Sequence, residues 1–397
     1  MLGQERPGSE RPRSLAFKLA LGVAVLAALA ILAGTAVLAV MASSARPANG
    51  AHQAAARHAA AMARPLRVVS ITPEAGARRV SGATTIQVTF SAPLARRSAD
   101  PALRPAAPGS WQATGRTVTF TADVPLRPST RFTLRIPAGR SGVRSEAGGM
   151  LSRPVTSYFS TAAYSRLRLA ELLSTLGYLP LSWSPGAGGR LSGDPGGRGG
   201  SQQEMAYSPP PGTFTWQRGY PAALRSQWDQ DVANPLVRGA VMAFKAQHDM
   251  AVTPVTGRTF WRKLFDAAER GQRNSLGYTY AVASKASPET LTIWHNGRVV
   301  MRSFANTGIP VRPTANGTFP VYLRYRFQVM RGTNPDGSHY ADPVSFVAYF
   351  NGGDAVHYFP RGAYGYEQSL GCVELPYAEA EQAWPYLTYG SLVTVTG

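Results

Sequence analysis

The stretch AVHYFPRGAYGYEQSLGCVEL, Ala355–Leu375, decides how this chain is read, because it holds the only cysteine in 397 residues. His357 precedes Cys372 by fifteen positions, across an irregular span containing proline and glycines. A thiol near its free pKa is ionised to roughly a few per cent at neutral pH, so a nucleophilic cysteine needs an imidazole to take or hold its proton. Gly371 allows close approach of a substrate, and backbone N–H groups around a tight turn can face a developing oxyanion. The bland alternative is a buried cysteine acting as a small apolar side chain. Spacing alone does not separate the two. The compartment of the thiol, and what lies upstream of it, bear on the choice.

The N-terminus points outside the cytoplasm. LALGVAVLAALAILAGTAVLAVMA, Leu19–Ala42, carries no charge and as a helix would extend about 36 Å, enough to cross a bilayer. Arg6, Arg11, Arg13 and Lys18 precede it, which keeps residues 1–18 as a cytoplasmic tail and sends the rest outward. A cleavable signal sequence is the rival reading, with Ser43–Ala45 as a tolerable cleavage site, but signal cores run to about 7–15 residues. A single-pass anchor in the cytoplasmic membrane is therefore favoured. An exported chain with one cysteine forms no internal disulfide, and Cys372 lies too far from the apolar run to carry a lipid.

The formal net charge is +19 and the pI ≈ 10.5, a balance that draws a chain toward polyanions, here anionic wall polymers. The excess lies upstream, since from Ser275 onward about eight basic residues meet about eight acidic ones. With no zinc-finger spacing, basic helix or RNA-binding aromatic motif, nucleic acid is not an expected partner. His52 and His58 fall in the Ala-rich linker 43–65, His295 borders a turn and His339 reads as a loop residue, so no metal site is expected.

Over 66–163 apolar residues alternate: Ile86, Val88 and Phe90, then Val118 and Phe120, then Phe132, Leu134 and Ile136. Short strands of this kind between Pro/Gly/Ser turns predict an all-β sandwich. The run VVSITPEAGARRV, TTIQVTFSAPL, GRTVTFTADVPLRPSTRFTLRI and SYFST resembles the bacterial Ig-like domains. Over 164–274 the period becomes helical, with Leu169, Leu172, Leu173 and Leu176 on one face, then Val237, Val241 and Phe244, then Phe260, Leu264 and Phe265. A Gly/Pro-rich insertion separates the first helix from the others. The segment resembles the small three-helix peptidoglycan-binding domain through Leu176-Gly177-Tyr178, Ala240-Val241 with Phe244-Lys245, and Thr259 with Trp261 and Leu264. Lys245 stands where that pattern has glutamine, and VTPVTG lacks its Asp-Gly turn.

Residues 275–397 read as strands again. Asn296-Gly297 between apolar runs is a strong hairpin signal, and a mainly antiparallel β domain with one short helix over YAEAEQAWPYL is expected. From about Tyr278 to Thr396 this segment resembles the L,D-transpeptidase catalytic domain of the YkuD type, through His357 followed by Ser369, Gly371, Cys372 and Val373. Thr307-Gly308 and Pro313-Thr314 with Gly317-Thr318-Phe319 match further landmarks of that family. Leu370 replaces a frequent histidine, Glu374 a frequent arginine, and Tyr358 follows the histidine where Gly or Ser is common.

That resemblance implies an enzyme acting on peptidoglycan stem peptides without a cofactor. Cys372 would attack the carbonyl at the L-centre of the third-position diamino acid, expel D-Ala, and pass the acyl group to an amine of a neighbouring stem, giving a 3→3 cross-link. His357 would be the general base, the Tyr358 backbone carbonyl its orienting partner, and the Gly371 and Cys372 N–H groups the oxyanion hole, with Ser369 shaping the turn. Two alternatives stay open: an L,D-carboxypeptidase that uses water as acceptor, and a non-catalytic peptidoglycan-binding envelope protein. In papain-like hydrolases the cysteine comes first in the chain, and a serine-dependent enzyme would need SxxK with its companion motifs.

Overall fold

The computed structural model describes residues 64–186 and 201–397. The expected tail, the Leu19–Ala42 anchor and most of the 43–65 linker lie outside the described residues. Among the described residues no helix is long and apolar enough to cross a membrane.

The alternating segments near the start form β1 (Val68–Thr72), β2 (Ile86–Phe90), β3 (Ala102–Arg104), β4 (Gly109–Thr114), β5 (Thr117–Ala122), β6 (Arg131–Ile136) and β7 (Val155–Ser160). They make two sheets, ordered β1-β2-β5-β4 and β3-β6-β7, every pair antiparallel. Ile86, Val88 and Phe90 are fully buried, as are Phe132, Leu134 and Ile136. Burying one such side chain is worth about 1.5–3 kcal/mol, so this period-two pattern fixes which face of each strand turns inward.

Helix α1 (Arg166–Thr175) is capped by the Ser165 side chain, which accepts from the Arg168 N–H. It is followed at Gly177 by a positive φ of 79°, which glycine adopts without strain. Next come β8 (Leu181–Pro185), α2 (Gln202–Tyr207), β9 (Gly212–Trp216), α3 (Ala222–Arg225), α4 (Pro235–Gln247) and α5 (Arg258–Glu269). Strands β8 and β9 pair as a two-stranded ribbon, and α2 begins in a reciprocal capping box between Ser201 and Glu204. The three expected helices form with the expected faces turned inward, Val237 being only partly buried. A self-contained three-helix domain does not. Their core takes in Tyr278, Tyr280 and Leu392 from the following β domain. Gly239 of α4 lies against the backbone of Gly390, where an added Cβ would come within 2.5 Å of the carbonyl oxygen.

The C-terminal strands are β10 (Thr279–Ser284), β11 (Thr290–His295), β12 (Arg298–Phe304), β13 (Gly317–Pro320), β14 (Leu323–Thr333), β15 (His339–Asn351), β16 (Asp354–Tyr358), β17 (Val373–Leu375) and β18 (Leu392–Thr396), with α6 (Tyr377–Ala383) before the last. They build a five-stranded sheet, β12-β11-β10-β18-β13, and a four-stranded one, β14-β15-β16-β17. One core joins them, including Ile293 and Val393 from the first and Phe346, Val356 and Val373 from the second. Asn296 and Gly297, with φ of 47° and 77°, make the expected two-residue turn. His339 opens β15 rather than sitting in a loop. The expectation of an antiparallel domain is corrected at two pairs: β10 with β18, and β16 with β17, run parallel. In the second case residues 359–372 form a loop long enough to carry the chain back to the start of the neighbouring strand, which a hairpin turn cannot do. That parallel pair positions the site.

Candidate active site

In the β16–β17 ladder Val356 pairs with Val373 and His357 with Glu374. Cys372 immediately precedes β17. Side chains alternate across a strand, so His357, Glu374, Ala355 and Cys372 share one face of two adjacent strands. The fifteen-residue separation in sequence becomes a diagonal step between neighbours.

His357 is buried, and its Nδ1 lies 3.0 Å from the Tyr358 carbonyl oxygen. A carbonyl only accepts, so Nδ1 carries the hydrogen and the lone pair is on Nε2. Burial holds the imidazole below its ordinary pKa and Arg361 adds to this, while the Tyr358 carbonyl and the Glu374 carboxylate oppose it. Cys372 is half-buried. Burial pushes its thiol up to about 12; the Ala355 N–H works the other way, and the Asp354 and Glu374 carboxylates reinforce the rise. The thiol lies 3.7 Å from the Gly353 carbonyl, the geometry of an S–H donor. Burial thus works against the charged form of both side chains, and the hydrogen bonds they donate go to backbone carbonyls, His357 to Tyr358 and Cys372 to Gly353.

The turn before the cysteine is fastened from several sides. Ser369 Oγ donates to the Cys372 carbonyl at 2.6 Å and accepts from the Gly371 N–H at 3.2 Å. That N–H, expected to face an oxyanion, is thus occupied at rest by the neighbouring hydroxyl. The Ser369 N–H donates to the Thr307 carbonyl at 2.9 Å, and the Ile309 N–H to the Ser369 carbonyl at 3.0 Å. Thr307 gives its own N–H and hydroxyl to the buried Glu289 carboxylate at 2.6 and 2.7 Å. Thr314 Oγ1 accepts from the Gly308 N–H at 2.9 Å and lies 3.4 Å from the Cys372 carbonyl. Landmarks more than fifty residues upstream of the cysteine therefore form the seat of its turn.

Three contributors were not singled out in the sequence. Glu289 anchors Thr307. Asp354, in the NGGD turn that opens β16, has Oδ1 only 2.7 Å from where a Cβ on Gly371 would stand, and burial raises its pKa. Arg361 grips Glu374 with two bonds of 2.7 Å. The glycine pair of NGGD marks a turn, but no spacing tells which later strand that turn will meet. Around the sulfur, Val344, Val347 and Ala355 form a small apolar cluster with Met330, Tyr349 and Phe359. Burial, and then the nearby sulfur, raise the pKa of the Tyr340 and Tyr349 phenols. Among the described residues no group of acidic, histidine or cysteine side chains is gathered as a metal site.

Residues 62–161 match the family model of the bacterial Ig-like domain, and residues 278–395 that of the L,D-transpeptidase catalytic domain. No curated protein matches the chain. Among solved structures, an L,D-transpeptidase from Mycobacterium smegmatis is 15% identical, aligned over 84% of this chain and 100% of its own, with a TM-score of 0.29. L,D-transpeptidase 3 from Mycobacterium tuberculosis is 16% identical over 83% of this chain and 98% of its own, with a TM-score of 0.28. The catalytic domain of the E. faecium L,D-transpeptidase is 24% identical over 30% of this chain and 96% of its own, with a TM-score of 0.28. At such scores these likenesses carry no weight, and the assignment stands on the family models. The chain thus carries a bacterial Ig-like domain and, C-terminal to it, an L,D-transpeptidase catalytic domain.

Proposed function

We propose that this protein is a cell-envelope L,D-transpeptidase that forms 3→3 cross-links in peptidoglycan through an acyl-enzyme on Cys372. The observation that carries the reading is the Nδ1–H bond of His357 to the Tyr358 carbonyl, which leaves Nε2 as a base on the same strand face as the cysteine. As Sγ attacks the L-centre carbonyl carbon of the donor's diamino residue, its proton passes to Nε2. The imidazolium then protonates the departing amine of D-Ala, leaving a thioester. An acceptor amine attacks that thioester, His357 takes the amine's proton, and the sulfur leaves and is reprotonated. The oxyanion formed at each addition meets the Cys372 N–H, and the Gly371 N–H once it gives up Ser369 Oγ.

The reading extends to the whole chain. Leu19–Ala42 tethers the enzyme to the cytoplasmic membrane, 66–163 acts as a spacer, and the basic half upstream of Ser275 is drawn to anionic wall polymers, which tethering keeps within reach. The test is incubation of the purified protein with a stem tetrapeptide and a diamino acceptor. Released D-Ala together with a cross-linked product, both abolished by Cys372→Ala, are expected. Trimmed peptide without cross-link would make it a carboxypeptidase. No product and no carbapenem adduct on Cys372 would leave a wall-binding protein without catalysis.

A further inference from the structure

Arg361 lies in the loop between β16 and β17, and its guanidinium is fixed on two edges. Nε donates to Glu374 Oε2 and Nη2 to Glu374 Oε1, each at 2.7 Å, and Nη2 also donates to the Gln368 carbonyl at 3.0 Å. The group lies 4.6 Å from the centre of the Phe359 ring. None of these bonds uses Nη1, and the Arg361 side chain is 27% exposed, against 5% for that of Glu374. Glu374 pairs in register with His357, the guanidinium charge acts on that imidazole, and the Phe359 ring beside it packs on the apolar cluster around the sulfur.

A purely structural pair would not need this asymmetry, in which the acid is sealed and the base keeps one donor edge open. A planar guanidinium already held by a buried carboxylate is preorganised, and offers its remaining N–H groups to an anion without further ordering. We propose that Arg361 is a substrate-binding residue whose Nη1 edge receives a carboxylate of the acyl donor, with Glu374 as its positioning partner. This rests on the transpeptidase reading for the identity of the donor, a stem peptide that bears several carboxylates. Arg361 and Glu374 cancel each other's charge, so a docked carboxylate adds one net negative charge beside His357. Donor binding then strengthens the imidazole as a proton acceptor when the thiol must be ionised.

The test is a titration of the Cys372→Ser protein with a tetrapeptide donor and with versions in which each carboxylate is singly amidated, followed by calorimetry. One amidation is expected to weaken binding about tenfold or more, the scale of a hydrogen bond to a charged group. The double variant Arg361→Gln/Glu374→Gln, which leaves no lone buried carboxylate, should bind the parent peptide about tenfold more weakly and lose that discrimination. Should the double variant fail to fold, Arg361→Lys keeps the charge without the fork and should retain only part of the discrimination. The proposal is overturned if no amidation matters, if discrimination survives intact in these variants, or if it vanishes instead with Arg312→Gln, the exposed cation near Tyr340. Intact discrimination in a wild-type protein that transfers no acyl group would sink the transpeptidase reading alone.

Discussion

Burial works against charge on both His357 and Cys372, and this sets the expected pH dependence. The imidazole's pKa is held below its ordinary value by burial, while burial lifts the thiol to about 12. In the proposed mechanism acylation needs the neutral imidazole. Its rate should therefore rise as pH increases through a midpoint below about 6.5, the ordinary imidazole value, then stay flat into the alkaline range, because burial holds the thiol protonated there. A pH profile of carbapenem acylation checks this, and a midpoint near that of a free thiol would contradict it. The sequence could nominate both residues as candidates because their chemistry is distinctive and the chain has one cysteine. Arg361, Asp354 and Glu289 could not, since each acts on a partner that only the fold supplies: Glu374, the Gly371 turn and Thr307.

At the level of elements, the turn Ser369–Cys372 ties the position of the thiol to its seat. Gly371 has a φ of 117°, a conformation L side chains rarely adopt, and a Cβ there would press on Asp354. Gly371→Ala should cost about 1–3 kcal/mol and slow acylation at least tenfold, because the turn must shift Cys372 to relieve the contact. Urea denaturation and adduct formation by mass spectrometry measure both effects, and a variant with unchanged stability and rate would show that the turn tolerates a side chain. The period-two runs of the Ig-like sandwich and the leucine spacing of α1 were legible because one buried face dictates the repeat. The direction of β17 was not. A three-residue strand has no periodicity to read, and its parallel pairing with β16 is fixed by the length of the loop before it and the bonds to Asn306, Thr307 and Ile309.

Across the whole molecule, the helices of 164–274 and the strands of 275–397 share a core in which Tyr278, Tyr280 and Leu392 are almost completely buried. The resemblance to the small three-helix domain carried no information about this, because a leucine stripe reports that a face is buried and not what buries it. A piece comprising 275–397 alone should be poorly soluble and lack a cooperative thermal transition, whereas 164–397 should unfold in one step at a measurable Tm. A soluble, cooperatively folding 275–397 would refute the shared core. The backbones also touch at two glycine pairs, Gly239 with Gly390 and Gly219 with Gly297, where no side chain could be interposed. Two such pinch points leave little room for swivelling at this joint. Whatever distance the enzyme must search across an insoluble meshwork, helices and catalytic sheets travel it together as one stiff head, and no hinge between them adjusts the aim.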